Sequence, residues 1–240
     1  DVYIFTNRYP YGKTEESFVG SELYEFSSMA AKYDCKFFVI PSISADSKRV
    51  LPENIELIDM VPKSGSRFVL LVNALSCIDA WKEIVHLIIS CKLTLASFRS
   101  ALAFFGRANM IRRAMPKFVK DPSKSILYSF WFDSAAYAVA RTDIPVRVKI
   151  SRAHGYDLYR ERRIDGYMPM GKSFHKSLDY IVPISISGGI YLQEEYKVPA
   201  SKISIKYLGV AYREADVLFD NEIINFVSVS VLEKNKRVGG

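Results

Sequence analysis

The run Ser125–Ser151, SILYSFWFDSAAYAVARTDIPVRVKIS, contains two strand-like segments separated by a helix-like one. Its aromatic and β-branched residues predict strands over Ser125–Trp131 and Val146–Ser151. The alanine-rich segment Asp133–Arg141 between them predicts a helix. A strand, a helix and a strand in this order are typical of a layered α/β domain whose sheet is mainly parallel.

The same alternation of strands and helices extends along the chain. Further strands are predicted over Asp1–Thr6, Lys36–Ile40, Ile55–Ile58 and Tyr180–Ile184, with a strand-like segment at Ile203–Tyr207. Helices are predicted from Thr14 onward, over 66–92, over 94–115 and over Ser187–Tyr196. The sequence therefore predicts an α/β fold, with a Rossmann-like parallel sheet and flanking helices.

A change in amino-acid composition near residue 210 predicts a domain boundary. An acidic, turn-like stretch follows Val210, and Asn225–Val231 (NFVSVSV) then reads as a new strand close to the last residue. Because a strand needs neighbours, we expect an amino-terminal domain over 1–210. Residues 211–240 are expected to form a linker and the first strand of a second domain that continues past Gly240.

The basic residues are unevenly distributed. The formal net charge is +7, and Arg99–Lys124 alone holds seven basic residues and one acid, Asp121. Two interpretations of this region remain open: a helix that docks on an anionic membrane surface, and a core helix with a solvated basic edge. No nucleic-acid-binding motif accompanies the charge, so a nucleic-acid partner is not expected.

The cysteines and the hydropathy pattern favour an intracellular protein. Cys35, Cys77 and Cys91 form no CxxC pair and lie in apolar runs, so we expect reduced, buried thiols. No signal-peptide pattern opens the chain, and charged residues interrupt the most apolar stretch, Phe68–Ser90. A cytoplasmic location is expected, with peripheral contact to the inner face of the membrane if the basic region docks there.

Many catalytic signatures are missing from the sequence. It contains no GxxxxGK[ST], GxGxxG, HExxH or GxSxG motif. It also lacks an Asp-x-Asp pair, which is typical of transferases that hold a donor diphosphate through a divalent metal. We therefore expect neither a metal ion nor a cofactor.

The segment Ile150–Met170, ISRAHGYDLYRERRIDGYMPM, places polar residues where a strand ends. His154 and Gly155 follow the strand, and the carboxyl ends of strands in open α/β sheets are where ligands bind. There His154 could hydrogen-bond a sugar hydroxyl or a developing oxocarbenium centre. The alternative is an ordinary polar side chain that is satisfied within the fold.

This segment resembles a motif of the family-4 retaining glycosyltransferases of the GT-B fold, in particular their colanic-acid and capsular-polysaccharide branch. Five more segments resemble that family in the same order: Tyr9–Leu23, Tyr128–Ala138, Leu178–Tyr196, Lys202–Val210 and Val227–Arg237. The resemblance implies a glycosyltransferase that moves a sugar from a nucleotide-sugar donor to a saccharide or lipid-linked acceptor. It also implies that the acceptor binds mainly in the amino-terminal domain and the donor mainly in the carboxyl-terminal one.

The resemblance also implies which residues are catalytic and which bind the donor. His154 would be the catalytic residue facing the transferred sugar. Gly12 and Lys13 would bind the donor or acceptor in the first loop, and Lys236 and Arg237 would bind the donor diphosphate in place of a metal. A solvated charged turn is the alternative for Lys236 and Arg237.

Four residues near His154 are candidates for acceptor binding. Trp131 and Asp133 end a strand at the same sheet edge, where Trp131 would stack on a sugar face or be an ordinary buried aromatic. Arg152 and Asp157 flank His154, and they would bind the acceptor or pair with each other.

One feature of the family's donor domain is not matched. The spacing Glu214 to Glu222 fits the family's Glu-x7-Glu pattern, but it precedes the predicted donor-domain strand and is rejected. The 240-residue chain is therefore expected to lack full activity. A non-catalytic carbohydrate- or nucleotide-binding module of the same fold remains the alternative function.

Overall fold

A computed structural model gives the fold of residues 1–12, 15–45, 47–59, 67–163 and 166–209. The chain divides into two units, Asp1–Val210 and Ala211–Gly240, and all the described residues belong to the first. The predicted second-domain strand Asn225–Val231 lies outside the described residues, so it and the domain boundary stay predictions.

Six strands form one parallel sheet. They are β1 (Val2–Thr6), β2 (Phe37–Pro41), β3 (Ile55–Leu57), β4 (Ile126–Ser129), β5 (Val148–Ala153) and β6 (Tyr180–Pro183). Their order in the sheet is β3-β2-β1-β4-β5-β6, and every neighbouring pair is parallel. The predicted Rossmann-like parallel sheet is therefore confirmed.

Helices connect the strands and cover both faces of the sheet. They are α1 (Glu16–Tyr33), α2 (Arg67–Leu75), α3 (Ile78–Ile89), α4 (Leu95–Phe118), α5 (Ser134–Ala140), α6 (Gly155–Leu158) and α7 (Ile186–Glu194). Short 3-10 helices lie at Pro122–Lys124, Arg160–Arg162, Pro169–Ser177 and Ala200–Lys202. Among the described residues, none of the helices is both long and apolar enough to cross a membrane.

Successive side chains of the central strand pack into two hydrophobic cores, one on each face of the sheet. In β1, Ile4 packs with α1 residues such as Leu23, whereas Phe5 packs with α4 residues such as Phe105. This follows from the period of two in a strand, which sends successive side chains to opposite faces. Both faces of the sheet are therefore buried, as is usual for parallel sheets.

The region predicted as one helix over 66–92 forms two helices, α2 and α3. The break falls at Ser76 and Cys77, where the backbone at Cys77 is extended. Asn109 of α4 donates its side-chain amide to the carbonyl of Asn73 and to the hydroxyl of Ser76, at 2.9 and 3.0 Å. These bonds satisfy polar groups at the end of α2. The spacing of apolar residues within 66–92 does not reveal a contact with α4, so it did not predict the break.

The strand-like segment Ile203–Tyr207 forms a single bridge, Ile203 to Ile181, rather than a strand. Beyond the bridge, the carbonyls of Lys206 and Tyr207 accept hydrogen bonds from the Arg152 guanidinium, both at 3.1 Å. Lys206 still donates its N–H to the carbonyl of Pro183 at 3.1 Å, but Pro183 has no N–H with which to return a bond to this segment.

The cysteine prediction is partly wrong. Cys77 is buried, but Cys35 is half-buried and Cys91 is exposed, because Cys91 follows the end of α3 in a left-handed turn conformation. All three are free thiols.

The basic region lies on a core helix. α4 buries nine residues, among them Phe104, Phe105 and Ile111, against the sheet and its neighbouring helices. Of the two interpretations of this region, the core helix with a basic edge describes α4.

Close contact between α2 and α4 depends on Gly106, where an added Cβ would overlap the carbonyl oxygen of Leu70. We expect Gly106→Ala to lower the free energy of unfolding by about 1–3 kcal/mol, because the two helix backbones must separate. Urea denaturation of the 240-residue chain measures the change.

Gly20 of α1 provides the matched control, since the nearest atom to a methyl group added there would be Cγ of Glu16 at 3.8 Å. Gly20→Ala should leave stability unchanged or raise it by up to about 1 kcal/mol through helix propensity. Equal effects of the two substitutions would show that Gly106 is not needed for close helix contact.

Candidate functional site

The strand order creates a natural binding position beside β1. The chain runs outward from β1 to β3 and then returns to β4 on the other side of β1. Loops that leave β1 and β4 therefore diverge at the carboxyl ends of these strands, which opens a crevice. A cavity of about 500 Å³ lies there, lined by the loops after β1 and β4, by α4 and by residues after β5. We call it the switch-point cavity.

A buried carboxylate, that of Glu15, organises the loop after β1. Its two oxygens accept the backbone N–H groups of Asn7, Arg8 and Tyr9, at 3.2, 2.5 and 2.6 Å. They also accept the indole N–H of Trp131 from the loop after β4. Glu15 is only 6% exposed, so these four donors replace the water that the carboxylate loses.

A second buried carboxylate, that of Asp157, joins the ends of β4 and β5. It accepts the backbone N–H of Phe132 at 2.8 Å and that of His154 at 2.6 Å. Asp157 does not pair with Arg152, which was one of the two predicted roles for these residues. It lines the switch-point cavity.

His154 lies at the end of β5 with its ring between aromatic side chains. The ring centroid is 4.4 Å from that of Trp131, and Phe130 and Phe18 approach it at 5.0 and 6.3 Å. Neither ring nitrogen has a hydrogen-bond partner among the described residues, although Nδ1 is 3.6 Å from Oδ2 of Asp157. A buried imidazole without partners has free donor and acceptor capacity for a ligand.

Trp131 and Asp133 both line the switch-point cavity, so the structure brings these two candidates together. Asp133 accepts the backbone N–H of Ala135 at 3.1 Å, which caps α5, and the side-chain amide of Asn7 at 3.0 Å. Trp131 is half-buried, with its ring packed against His154 and its N–H held by Glu15. Both residues follow the end of β4, and their acceptor-binding roles stay predictions.

Arg152 lies outside the cavity lining. Its guanidinium forms a buried ion pair with Glu22 of α1 at 2.7 Å, in addition to its bonds to the 206–207 carbonyls. Burial raises the pKa of the Glu22 carboxyl, although the Arg152 charge opposes that shift. These contacts connect α1 to the end of the described chain.

The remaining candidates come from the first loop and the end of the chain. Gly12 is exposed, has a φ of +79° that favours glycine, and accepts a hydrogen bond from Arg49 on its carbonyl at 3.3 Å. It does not line the switch-point cavity. Lys13, Lys236 and Arg237 lie outside the described residues.

Lys172 is a cavity residue that sequence reasoning missed. Its side chain is 1% exposed, and its ammonium donates to the carbonyl of Phe132. Burial lowers the pKa of Lys172 to about 8, while the charges of Asp157 and Asp133 act in the opposite direction. The left-handed backbone at Met170, Gly171 and Lys172 directs this residue inward, and no periodic pattern in PMGK marks that turn.

No group of three or more His, Cys, Asp or Glu residues suited to a metal occurs among the described residues. The site is instead built from buried carboxylates, one buried lysine and an unpartnered histidine.

Replacing Lys172 should change how stability depends on pH. The pKa of Lys172 is about 8 in the fold against an ordinary 10.5, so between these values the unfolded chain holds a proton that the folded chain lacks. The free energy of unfolding contributed by Lys172 therefore rises with pH through this window and is lowest below pH 8. The quantity to follow is the free energy of unfolding of Lys172→Met minus that of the unsubstituted chain. We expect this difference to fall by roughly 2–3 kcal/mol between neutral pH and pH 10, because only the unsubstituted chain becomes more stable over that range.

Urea denaturation of both chains at several pH values measures this difference. Lys176→Met is the control, because Lys176 is an exposed lysine of the same 3-10 segment. A difference for Lys172→Met that does not change with pH would contradict the buried position of this lysine.

Comparison with known proteins gives few matches. No family model matches the chain, and no curated protein matches its sequence. Among solved structures, it is similar to a glycosyltransferase from Rickettsia africae ESF-5, with 15% sequence identity and a TM-score of 0.45. The similarity covers 87% of this chain and 43% of that chain, so this chain spans less than half the length of that protein. A similarity at this level does not establish a family or a function.

Proposed function

We propose that the chain is the acceptor-side part of a glycosyltransferase of the GT-B type. The enzyme would transfer a hexosyl group from a nucleotide-sugar donor to a saccharide or lipid-linked acceptor. The reaction would belong to surface polysaccharide biosynthesis. One observation carries the proposal: residues from two segments of the resemblance line one cavity at the switch point of the sheet, Trp131 and Asp133 from one segment and Asp157 from the other. His154 stacks on Trp131 beside it.

The chemistry of these residues suits transfer of a sugar. An aromatic ring such as that of Trp131 can pack on the apolar face of a pyranose. An imidazole whose nitrogens are free can hydrogen-bond a sugar hydroxyl near the carbon that gains positive charge. We assign that role to His154, with Asp157 holding its backbone in place through the 2.6 Å bond to its N–H.

The donor diphosphate would be held by Lys236 and Arg237, with Gly12 and Lys13 near it in the first loop. Cationic side chains can stabilise a leaving diphosphate as a metal ion would. This part of the proposal rests on the resemblance of those segments to the family. It assigns no metal ion and no cofactor.

The test is a transfer assay on the full-length protein encoded by the gene, with a panel of UDP- and GDP-sugars and a cell-envelope lipid extract as acceptor. We expect His154→Ala to lower turnover by about 100-fold or more, as when a group that stabilises a transition state is lost. The circular dichroism spectrum should not change.

His86→Ala serves as the control, because His86 is an exposed histidine of α3, whereas His154 is buried against Trp131. It should keep normal turnover. Unchanged turnover in His154→Ala would remove His154 from the site. Donor binding without transfer for every donor would favour a non-catalytic binding module.

The proposed location is the cytoplasmic face of the membrane, and the surface that would meet the membrane is the α2–α3 face. We define this face by eleven large apolar residues that are 41–77% exposed: Phe68, Leu71, Val72, Leu75, Ile78, Trp81, Val85, Ile88, Ile89, Leu93 and Leu95. An exposed apolar patch of this extent is unusual for a surface that faces only water.

Charges around the α2–α3 face favour an anionic membrane surface as its partner. The two acids of residues 67–99 bond to tyrosines: Asp79 accepts from the Tyr137 hydroxyl at 2.5 Å, and Glu83 accepts from the Tyr167 hydroxyl at 2.9 Å. Asp79 also forms an ion pair with Lys82 at 3.1 Å. The charged side chains that remain exposed in this stretch are basic, namely Arg67, Lys82, Lys92 and Arg99. Apolar side chains beside cations are the combination that binds anionic lipid surfaces.

Vesicle sedimentation of the 240-residue chain tests this surface. The chain should bind vesicles of phosphatidylcholine with phosphatidylglycerol more strongly than pure phosphatidylcholine, and Ile78→Asp with Ile88→Asp should abolish binding. Val50→Asp, on an exposed residue elsewhere, is the control. Absence of vesicle binding would refute the membrane assignment, and concentration-dependent dimers lost in the double variant would assign the face to a second copy of the chain.

A further inference from the structure

The switch-point cavity contains charges of both signs. Its lining includes three acids, Glu15, Asp133 and Asp157, and four cations. The cations are Arg8, Arg107, Arg163 and Lys172. Which of these charges are already engaged by the protein decides what a ligand meets there.

The three carboxylates are engaged by N–H donors of the fold. Glu15 accepts from four donors. Asp133 accepts one hydrogen bond on each oxygen, from Ala135 and Asn7, and Asp157 does the same, from His154 and Phe132. These bonds fill the acceptor capacity of Glu15 and occupy one site on each oxygen of Asp133 and Asp157.

The cations, in contrast, lack acidic partners. Across the described residues, no carboxylate oxygen lies within 4.0 Å of the charged groups of Arg8, Arg107, Arg163 or Lys172. Lys172 donates to a backbone carbonyl. The guanidinium of Arg163 lies over the Tyr156 ring at 4.2 Å, and its Nε is buried without a hydrogen-bond partner among those residues.

Two of these arginines reach the cavity from different parts of the fold. Arg107 comes from α4 and Arg163 from the segment after the 3-10 helix Arg160–Arg162. Both are half-buried, so solvent screens their charges less than those of surface side chains. A guanidinium offers several N–H donors in one plane, which suits a carboxylate or a phosphate.

We infer that the acceptor bound in this cavity carries a negative charge, as a carboxylate or phosphate on a sugar, and that Arg107 and Arg163 bind that anion beside Trp131. A volume of about 500 Å³ is enough for a sugar residue with such a group. The identification of the ligand as an acceptor rests on the proposed function, whereas its negative charge rests on the cavity alone.

Binding of small probes to the 240-residue chain tests the inference. The probes are glucuronate, glucose 1-phosphate and neutral glucose, and binding is followed by calorimetry at low and physiological salt. At least one anionic probe should bind about tenfold more tightly than glucose. Its affinity should fall as salt increases. Preference for glucuronate would indicate an acidic saccharide, and preference for glucose 1-phosphate would indicate a phosphate-linked acceptor.

Single substitutions locate the site. Arg107→Gln and Arg163→Gln should each weaken the anionic probe about tenfold and leave glucose binding unchanged. Arg99→Gln is the matched control, because Arg99 is a basic residue of α4 that is exposed and does not line the cavity. It should have no effect.

Several results would overturn the inference. Equal binding of glucose and both anions would do so, as would failure of both anions to bind or normal binding in both arginine variants. If UDP binds with the same dependence on Arg107 and Arg163, the cavity holds the donor diphosphate and the acceptor assignment is wrong. Failure of the transferase assay would leave these binding results unchanged, so the two proposals can fail separately.

Discussion

The arrangement around the cavity depends on the hydrogen bonds that the Glu15 carboxylate accepts. It is buried where the chain leaves β1, and four N–H donors from two loops converge on it. A carboxylate without such donors would be costly in this environment, and a loop without the carboxylate would have unpaired buried N–H groups. The two requirements are met together, which fixes the first loop and the Trp131 ring relative to each other.

The same principle operates one strand further along the sheet. Asp157 pairs with backbone N–H groups after β4 and β5, and Lys172 donates to the carbonyl of Phe132 between them. The polar groups at the carboxyl edge of the sheet therefore form a connected set above an apolar core. These acids bond to N–H groups of the fold, and the cavity arginines have no carboxylate within 4.0 Å in the described part of the chain.

Helix α4 connects the core, the cavity and the outer helices. One side of it packs under the sheet through Phe105 and Ile111, while Arg107 faces the cavity. Gly106 lets α2 approach closely, and Asn109 satisfies the end of that helix. With α2 packed against α4, the apolar side chains of α2 and α3 that cannot reach the core remain at the surface.

The amino-acid sequence by itself determined the order of strands and helices, because alternation and helical spacing are local properties of consecutive residues. From that order followed the parallel sheet and the position of Trp131, Asp133 and His154 near its carboxyl edge. Contacts between distant segments were not available to the same reasoning. Asn109 bonds the groups at the break before Cys77, and Arg152 bonds the carbonyls that follow the bridge at Ile203.

The tertiary structure also decided which charged residues matter. From the sequence alone, none of Glu15, Lys172 and Arg163 was a candidate site residue. Their burial and their hydrogen-bond partners differ. Glu15 accepts hydrogen bonds from several N–H groups, and Lys172 is buried. Arg163 has a buried N–H without a partner in the described part of the chain. A charge acquires its role from the groups that surround it in space, and those come from strands and helices far apart in the chain.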